Sequence, residues 1–195
     1  TKALGMDSLA ITDHGTFYGV VDFYSACKDV GIKPIIGCEA YLAPGSRKQR
    51  EGLLAHNDYY HLILLATNLK GYHNLIKLSS KAYLEGFYYK PRVDKELLQE
   101  HHDGIIALSG CLSGEVPYLI GQNDIKSASQ KAGEYQEIFG CTDSEACNYD
   151  LSATIDNNSC IYELDCTREC GSAVVLWGTC YPTSTTSISL NSSGL

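Results

Sequence analysis

The sequence has 195 residues, of which 44% are hydrophobic, and a formal net charge of −8 at pH 7. This length allows one medium domain or two small ones, and the apolar fraction is sufficient for a buried core. The negative charge argues against a general nucleic-acid or membrane surface, and no apolar run is long enough to span a bilayer. There is no signal-peptide pattern, and the opening residues TKALGMD are typical of a helix end, so we expect that an upstream segment is missing.

Charge and cysteine are distributed unequally along the chain. Residues 1–140 contain 14 of the 15 Lys and Arg, all six His and three Cys. Residues 141–195 contain six Cys, seven Asp and Glu, and Arg168 as their only basic residue. Few cysteines are typical of a reducing cytosol, whereas six in so short a segment indicate a disulfide framework of extracellular type. We therefore predict a cytoplasmic domain at 1–140 and an acidic, disulfide-bonded tail at 141–195, with the cytoplasm preferred for the whole chain.

Hydrophobic periodicity predicts strands alternating with helices up to residue 140. In chain order the predicted elements are strand 9–12, helix 20–30, strand 33–43, strand 60–67, helix 68–86, helix 93–104, strand 105–111, helix 115–121 and helix 125–139. Asp94 is suited to cap the helix that Gly104 ends, and a polar loop with basic residues occupies 44–57. This order predicts an α/β fold with a mainly parallel sheet and helices outside.

Polar residues follow several of these predicted strands. Asp13 and His14 come directly after the first strand, Glu39 lies in the GCE sequence of the second, and Cys111 follows the strand at 105–111. In parallel sheets, functional groups collect beyond the carboxyl ends of the strands. We therefore expect His14, Glu39 and Cys111 to converge at one end of the sheet, with His61 near them.

These side chains form a candidate metal site. Imidazole and carboxylate ligands suit Zn, Mn or Fe, and a Cys thiolate adds affinity for the softer metals. Asp13 could hydrogen-bond a metal ligand and orient it, or it could bridge two ions. Alternatively, Asp13 could cap the following helix, and His14 would then have no role in metal binding. By spacing alone the pattern is weak, because a His at a strand end is more often a hydrogen-bonded core residue and a single Cys is more often a small buried apolar group.

Other polar groups have simpler interpretations. His101 and His102 end a short predicted helix, where positive charge suits the helix dipole. His73 lies on a helix and is expected to be solvated. Residues 88–92, YYKPR, could contact a nucleic-acid strand, but we favour a solvated turn. Residues 109–115, SGCLSGE, could bind phosphate through backbone N–H groups, but a plain strand-to-helix turn is favoured.

Two long strings carry a family resemblance: ALGMDSLAITDHGTFYGVVDFYSACKDVGIKPIIGCEAYLAP and HLILLATNLKGYHNLIKLSSKAYLEGFYYKPRVDKELLQEHHDGIIALSGCLSGEVP. They resemble the PHP (polymerase and histidinol phosphatase) domain at the front of the bacterial DNA polymerase III alpha subunit. The resemblance covers residues 1–140 with hardly a gap. It implies a partial form of a distorted seven-stranded β/α barrel, and a site for up to three metal ions that activate water against phosphate esters.

The resemblance also implies roles for particular residues. His14 matches the ligand of the family's TDH motif, Glu39 the acid of GCE, His61 the His of HLILLA, and Cys111 the Cys of SGC. The family's amino-terminal HxH ligands, its late DxH and the polymerase palm fall outside the matching segment. The resemblance therefore implies a fragment of a DNA-replication protein, with DNA and replisome subunits as partners of the parent protein. Its phosphoesterase-type site is incomplete, and we expect the isolated chain to be inactive.

The tail resembles something else. Residues 141–160, CTDSEACNYDLSATIDNNSC, resemble a short Cys-rich repeat of secreted bacterial surface proteins, and residues 176–195 are similar to the segment that leads into a leucine-rich-repeat array. Asp143, Asp150 and Asp156 could bind Ca²⁺, but we favour the alternative that they solvate a disulfide knot. The tail pattern predicts no helix and one edge strand at 185–195.

Three functions follow from these patterns. The first is a PHP-type enzyme fragment, the second is an extracellular adhesion or binding module with a non-functional front, and the third is a non-catalytic structural scaffold. The polar residues at the strand ends favour the enzyme fragment over the structural scaffold. The length of the resemblance favours the enzyme fragment over the extracellular module. The change in composition after Gly140 is typical of a chimeric fusion, and we expect no membrane partner.

Overall fold

The computed structural model describes residues 1–50, 59–140 and two short strands at 173–176 and 179–182. After a 3-10 turn, the elements in chain order are β1 (Ser8–His14), α1 (Val20–Asp29), β2 (Lys33–Leu42), β3 (Tyr60–Ala66), α2 (Leu69–Leu84), β4 (Arg92–Val93), α3 (Lys95–Glu100), β5 (Ile105–Leu108), α4 (Glu115–Gly121), α5 (Ile125–Phe139), β6 (Ala173–Leu176) and β7 (Thr179–Pro182). The strands and helices expected up to residue 140 are all present. β4, which pairs over only two residues, was not expected from the sequence.

Five strands form one sheet in the order β1-β2-β3-β5, and β4 pairs with the end of β2. β1 and β4 pair with β2 in parallel, whereas β3 pairs antiparallel with both β2 and β5. Four strands therefore run in one direction and β3 runs in the other. The prediction of an α/β fold with mainly parallel strands is confirmed, and the structure is consistent with part of a β/α barrel.

Helices cover one face of this sheet. Because side chains alternate across a strand, every second residue of β2, β3 and β5 points to that face. Leu42, Leu62, Leu64 and Ile105 lie there and are at most 2% exposed. They pack against apolar residues of the helices, mainly Leu75, Leu78, Leu97, Leu98 and Ile138. Full burial of each such side chain stabilises the fold by roughly 1.5–3 kcal/mol, so this face holds the core.

Side-chain caps define where two of these helices begin. The Asn68 side chain accepts a hydrogen bond from the Gly71 N–H at the start of α2, and the Asp94 carboxylate accepts one from the Leu97 N–H at the start of α3. Asp94 is thus the cap that the sequence predicted. Gly71 is also required for space, because a Cβ there would lie 1.8 Å from the carbonyl oxygen of Gly104.

Two buried arginines organise the segment that follows β2. The Arg47 guanidinium bonds Asp94 at 2.8 Å, Glu85 at 2.8 Å and Glu96 at 3.0 Å, and we call these four residues the Arg47 cluster. Burial opposes the charge of Arg47, but its bonds to the carboxylates outweigh this and raise its pKa. The same bonds lower the pKa of Glu85. The sequence showed only a basic loop here.

The expectation of a solvated turn at residues 88–92 is wrong for Arg92. Its side chain is fully buried and donates hydrogen bonds to the carbonyl oxygens of Gly86, Arg47 and Gln49. The guanidinium also lies 5.1 Å from the ring centre of Tyr88. Backbone carbonyl oxygens that converge on one point need hydrogen-bond donors, and a guanidinium has several N–H groups to donate. Arg92 is therefore a structural anchor of the turn.

In the tail, β6 and β7 form an antiparallel pair that the sequence did not predict. The edge strand expected at 185–195 lies outside the described residues. Of the helices in the described part of the chain, none has the length and apolar character needed to cross a membrane.

Candidate metal site

The site begins where β1 and β2 run side by side. In their parallel register His14 is the partner of Glu39, so both side chains lie on the sheet face opposite to the core. His14 Nε2 is 3.4 Å from Glu39 Oε2. The Gly15 N–H donates to the Glu39 carbonyl oxygen at 2.9 Å, which ties the end of β1 to β2 just beyond the pair.

The reversed direction of β3 brings His61 to the same place. His61 lies near the amino end of β3, where it is the register partner of Tyr41, two residues after Glu39. Residues two apart on a strand share a face, so the three side chains lie together. His61 Nδ1 is 2.6 Å from Glu39 Oε1. His61 joins the site because an antiparallel strand starts where its parallel neighbours end.

His14, Glu39 and His61 form a compact group. Each offers one ligand atom, and these atoms all lie within 4.8 Å of one another. The two Glu39 oxygens face different imidazoles, so the carboxylate connects the rings. Two nitrogens and an oxygen at this spacing are the donors that Zn and other first-row divalent ions take. The residues present therefore fit a divalent metal ion.

Cys111 lies at the edge of this group. Its Sγ is 3.7 Å from His61 Nδ1 and 3.9 Å from Glu39 Oε1, and its side chain is exposed. The turn after β5 passes close to β3: the His61 N–H donates to the Ser113 carbonyl oxygen, and a Cβ on Gly110 would lie 3.0 Å from the His61 carbonyl oxygen. A close turn of this kind puts a thiol within reach of a metal ion. Residues 109–114 form the turn between β5 and α4.

Asp13 points away from the group, which corrects the expectation that it orients or bridges metal ligands. It is the residue before His14 on β1, so its side chain lies on the opposite face. Its Oδ2 accepts a hydrogen bond from the Gly19 N–H at 3.0 Å, at the start of α1. Asp13 thus hydrogen-bonds the N-cap residue of α1, whereas His14 faces Glu39.

Cys38 also lies on the core side, next to Asp13 in the register. Burial raises the pKa of this thiol to about 12. Its Sγ donates to the Asp13 carbonyl oxygen at 3.4 Å. Neighbouring residues in the GCE motif therefore have opposite environments, with a protonated thiol in the core and a carboxylate at the site.

Aromatic rings surround the group on the β2–β3 side. Tyr41 is 7% exposed, and its ring centre is 5.4 Å from that of His61 and 6.2 Å from that of His14. Tyr59 stacks on His61 at 5.9 Å and meets Tyr41 edge to face at 4.9 Å. Neither tyrosine was predicted from the sequence as part of the site. The signal for Tyr41 was its position two residues beyond Glu39 on a strand.

Of the described histidines, His73, His101 and His102 are not members of this group. His73 is exposed on α2, as expected. His101 and His102 follow α3, and the Nε2 atoms of both are buried without a hydrogen-bond partner among the described residues. Burial lowers the pKa of His101, so the fold favours its neutral form. The possible calcium ligands Asp143, Asp150 and Asp156 lie outside the described residues.

The family of the chain follows from a comparison with known protein families. The family model of the PHP domain matches residues 1–143. The chain belongs to the PHP domain family. This family is of a metal-dependent phosphoesterase type, which agrees with a His and Glu group capable of holding a metal ion.

Several relatives of this PHP domain are DNA polymerase III alpha subunits. The protein of Treponema pallidum is 52% identical over 139 residues, which are 71% of this chain and 12% of the relative. The protein of Thermus aquaticus is 51% identical over 134 residues, 68% of this chain and 11% of the relative. That of Deinococcus radiodurans is 49% identical over 136 residues, 68% and 10% respectively. The chain thus spans about a tenth of the length of the curated relatives it matches.

Proposed function

We propose that this PHP domain fragment carries part of a metal-dependent phosphoesterase site of a bacterial replicative DNA polymerase. The observation that carries the proposal is the convergence of His14, Glu39 and His61 from three strands. Cys111 is proposed as a further ligand, because its sulfur lies within 4 Å of two members of the group. In the parent protein, DNA and replisome subunits would be the partners, and the compartment would be the cytoplasm.

The proposed roles follow from the contacts. Glu39 holds His14 and His61 in a fixed relation, because each of its oxygens faces one imidazole. Tyr59 and Tyr41 limit the rotation of the His61 ring. His14, Glu39 and His61 would hold a divalent ion, which would supply an activated water and charge stabilisation at phosphoryl oxygens. With a donor set smaller than the family's, we expect weak metal binding and negligible turnover by the isolated chain.

Metal titration tests the proposal. We expect Zn²⁺, Mn²⁺ or Fe²⁺ to bind the wild-type chain weakly, and the Glu39→Gln and His14→Ala variants to lose this binding. The matched control is His73→Ala, which removes an exposed imidazole on α2. Equal metal binding by wild type and Glu39→Gln would overturn the proposal. Tight, stoichiometric metal binding, together with phosphodiester hydrolysis that His14→Ala abolishes, would contradict the expectation of weak metal binding and negligible turnover.

For the tail we propose a separately folded, disulfide-bonded unit at 141–195 joined to the domain at 1–140. Cys27, Cys38 and Cys111 are free in the structure, which leaves the tail's six Cys to pair among themselves. Three bridges would stabilise so small a unit by about 2–4 kcal/mol each. Mass mapping of proteolytic fragments under oxidising conditions tests this. A digested, thiol-reactive tail beside a protected 1–140 would contradict it.

No described residue supports an adhesion module or a purely structural scaffold as the function.

A further inference from the structure

Lys90 is a cation on the turn before β4, next to Tyr41, whose ring borders the candidate metal site. Its Nζ lies 5.4 Å from the ring centre of Tyr41, and the residue is half-buried. It makes no ion pair with any carboxylate in residues 1–50 and 59–140. Four of the eleven lysines in that region do pair with carboxylates there, and Lys90 is one of the other seven: the paired lysines are Lys70 with Asp103, Lys81 with Glu100, Lys95 with Glu115, and Lys131 with Glu134.

Tyr41 connects this cation to the site. The ring that Lys90 contacts also lies 5.4 Å from the His61 ring and 6.2 Å from the His14 ring. Pro91, the next residue, approaches Gly15, where a Cβ would lie 3.1 Å from Pro91 Cγ and 2.9 Å from Tyr41 Cε2. Gly15 directly follows His14, so the turn that carries Lys90 packs against the end of β1.

The backbone of this turn is strained and firmly anchored. Tyr89 has a φ of 56°, a left-handed conformation that is costly for a residue with a side chain. The Tyr88 N–H donates to the Lys90 carbonyl oxygen at 3.0 Å, and the buried Arg92 fixes the far side of the turn. Strained residues persist only where their surroundings hold them, and they cluster at functional sites. The anchoring therefore places Lys90 rather than leaving it to solvent.

We propose that Lys90 binds the phosphoryl oxygens of a phosphate ester at the His14, Glu39 and His61 group. This inference rests on the proposed function and adds the residue that receives the anion. The Glu39 carboxylate repels a phosphate anion, and a nearby ammonium offsets that repulsion. Lysine serves as a point charge for phosphate, and its flexible stem allows it to follow the anion.

Inorganic phosphate and Mn²⁺ are the probes for the test on the full chain. Mn²⁺ binding is measured from the signal of the free ion in electron paramagnetic resonance, and phosphate binding from the broadening of its ³¹P resonance by bound Mn²⁺. Lys90→Gln should weaken phosphate binding about tenfold or more, as expected for a lost charge-assisted hydrogen bond. Mn²⁺ affinity should stay unchanged. Lys90→Arg should retain phosphate binding, and Lys77→Gln, an exposed control on α2, should match the wild type.

A second measurement separates the two proposals. In the metal-free chain, phosphate should slow acetylation of Lys90, but not of Lys77, when peptides are compared by mass spectrometry. If Mn²⁺ binds the group but Lys90→Gln keeps full phosphate affinity, the Lys90 proposal is overturned and the proposed function stands. If no Mn²⁺ binds, the proposed function is overturned and only the acetylation result tests the Lys90 proposal. Protection of Lys90 by phosphate would then support that proposal, and a lack of protection would overturn it.

Discussion

The two faces of the sheet differ in what they hold. On the helix-covered face, Leu42, Leu62, Leu64 and Ile105 are at most 2% exposed. On the other face, Ile35, Ile63, Leu65 and Ile106 are only half-buried, and Leu108 is 45% exposed. That second face carries the candidate metal site. The difference shows that the buried core lies on one face of the sheet and the candidate metal-binding residues lie on the other.

The alternation of a strand makes this separation sharp within single motifs. Asp13 and His14 are neighbours, yet one accepts a hydrogen bond from the Gly19 N–H at the start of α1 and the other faces Glu39. Cys38 and Glu39 are neighbours, yet one is buried beside the core and the other connects two imidazoles. The comparison of the two faces can therefore be tested residue by residue.

The largest expected difference is in thiol reactivity. Cys38 lies on the helix-covered side with its pKa raised to about 12 by burial, whereas Cys111 is exposed at the site. Because the thiolate is the reactive form, we expect iodoacetamide to modify Cys111 faster than Cys38 by more than about a hundredfold. Timed labelling and peptide mass mapping measure both rates in one sample. Similar rates would show that the core side opens readily.

Truncation of leucines should reveal the same asymmetry in stability. Leu64→Ala removes a side chain that is 1% exposed and packed in the core, and it should lower the free energy of unfolding by about 3–5 kcal/mol. Leu108→Ala on the other face should cost less than about 1 kcal/mol, because much of the side chain is already solvated. Urea unfolding followed by circular dichroism gives both values. Equal losses would mean that the site face is as well packed as the core.

The Arg47 cluster tests buried charge on the helix side. Asp94→Ala leaves the Arg47 guanidinium without its most buried partner and removes the cap of α3, so we expect a loss of about 3 kcal/mol. Glu96→Ala removes a carboxylate whose side chain is 70% exposed, and should change stability by less than about 1 kcal/mol. The same urea experiment measures both. A small effect of Asp94→Ala would mean that the remaining carboxylates, Glu85 and Glu96, balance Arg47.

The smallest effect concerns the pH dependence of stability. Burial lowers the pKa of His101, so in the folded chain it takes up a proton at lower pH than in the unfolded chain, where its pKa is about 6.5. Above that pH both states are neutral and stability is unaffected. As the pH falls below it, the unfolded state binds the proton first, and the free energy of unfolding decreases.

Urea unfolding at pH 7.5 and pH 5.5 measures this loss. His101→Gln should reduce the difference between the two pH values. His73→Gln, which removes an exposed imidazole on α2, should leave the difference unchanged. An unaltered pH dependence in His101→Gln would assign the acid sensitivity to other groups.

The sequence by itself determined the local elements of this domain. Except for the two-residue β4, hydrophobic spacing located the strands and helices up to residue 140. Side-chain chemistry identified Asp94 as a cap, because both signals depend on residues close in the chain. The TDH, GCE and SGC motifs also pointed to His14, Glu39 and Cys111, since polar residues at strand ends stand out against an apolar pattern.

Only the tertiary structure decided the relations between distant segments. Periodicity does not reveal strand direction, so the antiparallel β3 that brings His61 beside Glu39 became visible only in the fold. It likewise showed Arg47 and Arg92 as buried anchors, because their carboxylate and carbonyl partners come from other parts of the chain. The contact of Lys90 with Tyr41 also joins segments far apart in the chain. Local residue spacing does not show which distant group a charged side chain will contact. These contacts form only when the chain packs.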